Sequence, residues 1–448
     1  MQIKLYLSVI TFIVLSFSNL KSQNQSFSQE GTEFWVCFER NYKELPIGND
    51  KMRLHLQLFI TSSYDCNVSI DIEKIYFHKE ISLKTGKLEV VDIEPTAQIV
   101  INESPQSLGV HITSGKAITV YGLNSRAQTT DTYTALPVTS LGKEYRVMSY
   151  FNSQGLLSQC AILATENNTT VTIIARVNSE NSIGAGSPVS IKLMKGEVYQ
   201  FCSVSSGNRI YDMNDASGKL IIDKGDLSGT FISADKNIAV FSGHQCGYVP
   251  QNIMACNHLV EQLIPTENWG KVYYAGVLKS RKSSIIRVLA GQNDSKIVIN
   301  DNVEKVLNAG EYYEFEGKNN LFIIESNNPI SVAQYSMGFK SDSVGDPMMM
   351  LIRPESAFQK SYRISTPKQG SWHHYVNVFA ANKFLDNLKI DGKPVDKSLF
   401  RNIEGTNFYF GTIEIQYGSH FLESTEPFGI SSYGFGYGND GYDAYGNM

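Results

Sequence analysis

His244, Cys246, Cys256 and His258 stand in an H-x-C-x9-C-x-H arrangement, with the cysteines bracketing the loop from Gly247 to Ala255. Two chemistries suit that pattern. Oxidation would close the loop with a disulfide and stabilise the chain by about 2–3 kcal/mol through loop entropy. Two thiolates and two imidazoles would instead form a tetrahedral zinc set. The disulfide is the expectation, because His and Cys alternating along a strand point to opposite faces and an exported chain meets an oxidising compartment. No metal and no cofactor is assigned. Cys37, Cys160 and Cys202 sit in apolar stretches and read as buried thiols, with a Cys160–Cys202 bridge left open. The state of Cys66 is not assigned.

A second group of chemically unusual residues lies in the segments between repeats. Asp131-Thr132-Tyr133, Asn257-His258-Leu259, Asp346-Pro347-Met348 and Asp443-Ala444-Tyr445 share a theme of Asp or Asn followed two places on by a large side chain. In one reading the polar residue caps a turn while the larger one packs between modules. In the other the segments build a shared groove or cation site. The binding-loop candidates are Asp131, Tyr133, His244, His258, Glu261, Asp346, Asp443 and Tyr445. Asp342, Asp346, Asp440 and Asp443 are oxygen donors for Ca²⁺, but no D-x-D-x-D-G loop organises them. No catalytic residue is assigned: Ser242, His244 and Glu261 lack a G-x-S-x-G elbow, and His373-His374 point to opposite faces of a strand.

The elements that must position these residues repeat four times. The first landmark is a strand opening: Gly31-Thr-Glu-Phe34, Gly142-Lys-Glu-Tyr145, Gly270-Lys-Val-Tyr273 and Gln359-Lys-Ser-Tyr362. Pro137, Pro265 and Pro354 precede the last three at constant spacing. The second is a short alternating strand: Val68 to Ile70, Val171 to Ile173, Ile297 to Ile299 and Leu388 to Ile390. L-x-x-G turns follow in three copies and end at Gly86, Gly196 and Gly310. The third is a corner that aligns without a gap: Ile112 to Val120, Ile232 to Val240, Ile324 to Val332 and Leu422 to Ile430.

These landmarks predict an all-β chain of four tandem, diverged β-sandwich-like modules spanning 31–141, 142–269, 270–358 and 359–448. The alternative is a four-membered ring of elaborate β blades. With 42% hydrophobic residues the 448-residue chain has enough apolar material for real cores, and 24 Tyr with 23 Phe favour strands. A net charge of -5 offers no basic footprint for nucleic acid. Lys4 followed by the apolar run from Leu5 to Phe17 reads as a signal peptide over 1–22, too short to span a bilayer core of about 30 Å.

At this point the chain resembles a known family. Gly31-Thr-Glu-Phe-Trp-Val, Gly109-Val-His-Ile-Thr-Ser, Val120-Tyr-Gly-Leu-Asn and Asp131-Thr-Tyr-Thr-Ala-Leu-Pro carry part of the match. Phe241-Ser-Gly-His-Gln-Cys246, His258-Leu-Val-Glu-Gln, Ile286-Arg-Val-Leu-Ala and Val332-Ala-Gln-Tyr carry the rest. Together they resemble the IgGFc-binding domain family, found in animal mucus and in bacterial exported proteins. The resemblance implies extracellular protein binding or adhesion, with Fc of IgG as one partner, and no enzyme activity. Signal peptide plus domain, rich in Lys, Asn and Ile, looks like a bacterial cell-surface protein. The expected partner is an extracellular protein or glycoprotein. A structural component of a surface assembly and a secreted polysaccharide hydrolase are the alternatives.

Overall fold

The computed structural model describes residues 27–42, 53–153, 155–205, 225–318 and 321–448; the signal-peptide segment lies outside them. Four antiparallel sheets follow one another along the chain. The first holds β1 (Gly31–Val36), β2 (His55–Ser62), β3 (Cys66–Ile72), β4 (Phe77–Leu83), β5 (Leu88–Ile93), β6 (Val110–Arg126) and β7 (Thr129–Thr134). The second holds β8 (Gly142–Arg146), β9 (Ser158–Ala164), β10 (Thr169–Ile174), β11 (Pro188–Leu193), β12 (Val198–Cys202), β13 (Phe231–Tyr248) and β14 (Cys256–Gln262). The third holds β15 (Gly270–Ala275), β16 (Ser283–Ala290), β17 (Ser295–Ile299), β18 (Asn302–Leu307), β19 (Tyr312–Lys318), β20 (Phe322–Ser336) and β21 (Met348–Leu351). The fourth holds β22 (Gln359–Thr366), β23 (Trp372–Ala381), β24 (Lys389–Ile390), β25 (Lys393–Pro394), β26 (Phe400–Asn402), β27 (Phe408–Ile415), β28 (Gly418–Gly436) and β29 (Ala444–Asn447). The all-β, repeated-module architecture expected from the sequence is present, and each repeat is one sheet curled into a half-barrel.

Each long strand (β6, β13, β20, β28) is the third landmark, and it organises its sheet. Its first half pairs with the opening strand and the V-x-I strand; its second half pairs with β2, β9, β16 or β23 on one side and with the last strand on the other. The polar turn of the landmark is where the strand passes between these two sets of partners. The first landmark locks onto that point. Tyr145 Oη donates to the Ile238 carbonyl at 2.7 Å and accepts from the Gly142 amide at 3.0 Å. Tyr273 makes the same pair with Ile330 and Gly270, and Tyr362 with Phe428 and Gln359. Each opening glycine also packs against the proline that follows the last strand of its own sheet. A Cβ on Gly31, Gly142 or Gly270 would lie 2.3, 2.6 or 2.3 Å from Pro137, Pro265 or Pro354.

The last strands of the four sheets, β7, β14, β21 and β29, are buried and pack in a closed cycle: β7 on β14, β14 on β21, β21 on β29 and β29 on β7. Outer seams repeat the cycle. The residue after each opening aromatic is Trp35, Arg146, Tyr274 or Arg363, and each faces a long-strand partner in register: His111, Phe231, Ile323 or Phe421. The L-x-x-G turn of the next sheet abuts this pair. Gly109 donates to the Gly196 carbonyl at 3.0 Å, and a Cβ on Gly229 would lie 2.0 Å from the Gly310 carbonyl. Gly86 of the first sheet sits beside Arg363 of the fourth, which closes the ring.

Candidate functional site

The axis of the ring is built on a carboxylate. Gly122, Ser242, Gln334 and Ser432 occupy one repeat position, two residues past the end of each aligned corner, and they pair with Tyr133, Glu261, Met350 and Asn447. One residue earlier on those last strands stand Thr132, Val260, Met349 and Gly446. The amides of all four point at Asp131: Oδ1 accepts from Thr132 at 2.9 Å and Gly446 at 3.3 Å, and Oδ2 from Met349 at 3.1 Å and Val260 at 3.3 Å. Burial pushes the Asp131 pKa well above the usual carboxylate range, and the four amides pull the other way.

Other polar groups of the hub tie neighbouring sheets together. Asn257 Oδ1 accepts from the Thr130 amide, while its Nδ2 donates to the carbonyls of Thr130 and Pro347, both at 2.8 Å. Glu261 Oε1 accepts from Leu351 N at 2.9 Å, and Gln262 Oε1 from Leu136 N at 2.8 Å. Tyr133 Oη donates to the Cys37 carbonyl at 3.0 Å. His374 Nε2 lies 2.9 Å from the Lys368 carbonyl and must donate there, which leaves Nδ1 to accept from Tyr445 Oη at 2.7 Å. Burial holds the His374 pKa down to about 4, consistent with that neutral ring.

Cys246 and Cys256 are joined by a disulfide with their Cα atoms 5.1 Å apart. This removes both thiolates from the zinc reading. Beside it His244 and His258 are buried and their pKa values fall to about 3 and about 4, so both rings are neutral. Cys37, Cys160 and Cys202 are buried free thiols, and Cys66 is free and half-buried; the Cys160–Cys202 bridge does not form. Cys202 pairs in register with Gln159 and Cys160 with Phe201, so the two side chains leave opposite faces of the sheet.

The eight binding-loop candidates therefore need a correction of place. Asp131, Tyr133, His244, His258, Glu261 and Tyr445 have no solvent exposure, because their strands are covered on both faces by the ring. A docking macromolecule cannot touch them. Asp346 and Asp443 are also buried, yet they border two hollows of about 290 Å³ each at one end of the axis. Asp443 is driven up to about 7 by burial, with Lys368 pulling back. Asp342 is held by Arg281 at 2.9 Å, and among the described residues no group of three His, Cys, Asp or Glu is placed to hold a metal ion. The sequence triplets also shift: Leu259, Met348 and Tyr445 share the position of Asp131, two residues before Tyr133.

That end of the ring carries the connections between each long strand and the last strand of its sheet. They are the tight turn after Arg126, the disulfide loop, the 337–347 segment and the 437–443 segment. Tyr42, Met254 and Tyr442 are exposed around the hollows, and Tyr442 packs on Phe339 with ring centres 4.4 Å apart. Sequence reasoning missed Tyr42, Arg126, Met254, Tyr442 and Lys368, and only their position outside the repeat landmarks marked them. Among the described residues no helix is long and apolar enough to cross a membrane.

The family model described as IgGFc binding protein matches residues 131–434, more than half of the chain. The human IgGFc-binding protein is 25% identical over 419 residues, which cover 90% of this chain and 7% of that protein. This chain thus spans only a small part of the length of the relative it matches. It belongs to the IgGFc-binding protein family.

Proposed function

We propose that this chain is an extracellular protein-binding module of the bacterial cell surface, with no catalysis of its own. Its partner, a protein or glycoprotein, docks on the loop-bearing end of the ring. The observation that supports this reading is the division of labour in the repeat. The hub strands are locked by hydrogen bonds, while the four connections from the long strands to the last strands, unlike one another in length and composition, gather at one end around Tyr42, Met254 and Tyr442. A rigid scaffold that presents variable loops is the usual arrangement for recognition. Adhesion follows if the partner sits on a host or neighbouring cell.

The relative's name makes Fc of IgG the first partner to try. Surface plasmon resonance with the immobilised chain, run against Fc and a panel of secreted and cell-surface glycoproteins, tests the reading. At least one partner is expected to bind more tightly than about millimolar. The double variant Met254→Asp/Tyr442→Asp should lose that binding without a change in melting temperature. No partner across the panel, or binding indifferent to the double variant, overturns the proposal.

A further inference from the structure

Among the outer seams of the ring, the one between the first and second sheets is built differently. At the seams after the second and fourth sheets, Arg146 and Arg363 lie over Phe231 and Phe421 at 5.0 and 4.8 Å from the ring centres. At the seam after the third, Tyr274 packs against Phe408 and Phe379 of the fourth sheet. At the first seam Trp35 instead stacks flat on His111, centres 4.1 Å apart and planes at 10°, with Lys195 Nζ 5.6 Å from the Trp35 ring. Above this stack lies a cleft of about 640 Å³, within the roughly 300–1,000 Å³ range of small-ligand pockets.

One wall of the cleft is the turn between β3 and β4, which carries Tyr76. This residue adopts φ 53°, the left-handed region, and its side chain is 95% exposed. A bulky side chain in that region is strained, by about 1–3 kcal/mol, and exposure of the ring gains nothing in folding. A phenol held out over a cleft against both costs calls for a ligand that stacks on it. The same wall supplies Asp71 and Glu73, and the second sheet supplies Asn167 and Lys195. Asp71 is already bonded to His78 Nδ1 at 2.6 Å and to Ser69 Oγ at 2.9 Å, so the acids are partly balanced and no strong field of one sign develops. Mixed donors and acceptors beside an aromatic face suit a ligand with hydroxyl groups and apolar C–H faces.

We propose that the cleft between the first two sheets is a binding site for a neutral oligosaccharide of two or three sugar rings, with Tyr76 as the stacking platform. Asp71, Glu73, Asn167 and Lys195 bond its hydroxyls. A peptide adding to the free edge of β4 is disfavoured, since His78, Lys79 and Glu80 place exposed polar and charged groups along that edge. A hollow of about 600 Å³ at the seam between the third and fourth sheets is an internal control. It is lined by groups such as Asp301, Arg401 and Glu404, with no aromatic side chain.

Titration of the purified chain with maltotriose, mannotriose and chitotriose, followed by calorimetry and saturation-transfer NMR, tests the site. At least one trisaccharide should bind at millimolar concentration or below. Tyr76→Phe should keep that binding, and Asp71→Asn should weaken it. Tyr76→Gly should weaken it about tenfold or more while raising the melting temperature, because glycine relieves the left-handed strain. A purely structural role for Tyr76 would not produce those opposite changes. Absence of binding by all three sugars, or equal binding by Tyr76→Gly, overturns the site. The site is separate from the loop-bearing end, so protein capture by a Tyr76→Gly chain would leave the proposed function standing even as this inference fell.

Discussion

Asp131 shows how one residue can serve four copies of a repeat. Its two oxygens take the amides of Thr132, Gly446, Val260 and Met349, while Leu259, Met348 and Tyr445 occupy its position in the other sheets. A four-fold arrangement of carboxylates on the axis would be repulsive, and four apolar residues would leave the amides without acceptors. One acid and three larger groups resolve both problems. Asp131→Asn tests this directly. The amide oxygen can take two of the N–H groups, but the NH2 group then faces the other two as donor against donor. The variant should lose about 2–4 kcal/mol, read from the urea midpoint at unchanged slope. An unchanged midpoint would remove Asp131 from its axial role. None of this was legible in the sequence. A Thr-Thr-Asp-Thr-Tyr-Thr run looks like a turn, because polar residues are normally solvated and their burial here depends on three distant strands.

At the scale of elements the opposite holds for the repeat landmarks, whose spacing was readable because the contacts behind it are local to each sheet. The aligned corner is the long strand, and the opening tyrosine bonds the amide three residues before it as well as the crossing point of that strand. Such contacts constrain residue type at fixed separation, so they leave a trace along one chain. Contacts between sheets do not, and Arg287 on β16 is the clearest case. Its strand reads as an apolar run, yet its guanidinium is fully buried between Tyr150, Tyr312 and Tyr335. It pairs with Asp226 of the second sheet at 2.8 Å and Glu314 of the third at 2.7 Å, and donates to the Ser149 carbonyl and Ser228. Arg287→Met would leave Asp226 buried without its cation and should cost about 3–5 kcal/mol in thermal or chemical unfolding. Arg287→Lys should recover little of it, since an ammonium cannot reach Asp226, Glu314 and Ser149 together. A lysine variant as stable as the parent would show that charge alone, and not the planar fork, joins the two sheets.

For the whole molecule, closure of the ring makes the ends of the chain mutually dependent. Gln359 of the fourth sheet donates to the Phe27 carbonyl at 2.6 Å, and Arg353 of the third sheet reaches Gln29. β29 completes the axial cycle: Asn447 Oδ1 accepts from Thr132 Oγ1 at 2.9 Å, and Gly446 supplies one of the amides to Asp131. Met448 joins the large core shared by the first three sheets, whereas the fourth sheet has a core of its own around Val376, Val378 and Leu422 and shares smaller clusters with the third. Deleting residues 444–448 should therefore act beyond the last strand. It removes the fourth sheet's share of the axis, exposes one face of buried β7, and leaves the cores of the first and fourth sheets joined only at the outer seam. The intact chain is expected to melt in one calorimetric transition. The shortened chain should show two, the earlier belonging to residues 359–443, with faster hydrogen exchange confined to that sheet and to β7. If the shortened chain still melted in one transition at the parent temperature, the four sheets would be held by their outer seams, and the axis would be a consequence of the ring and not its cause.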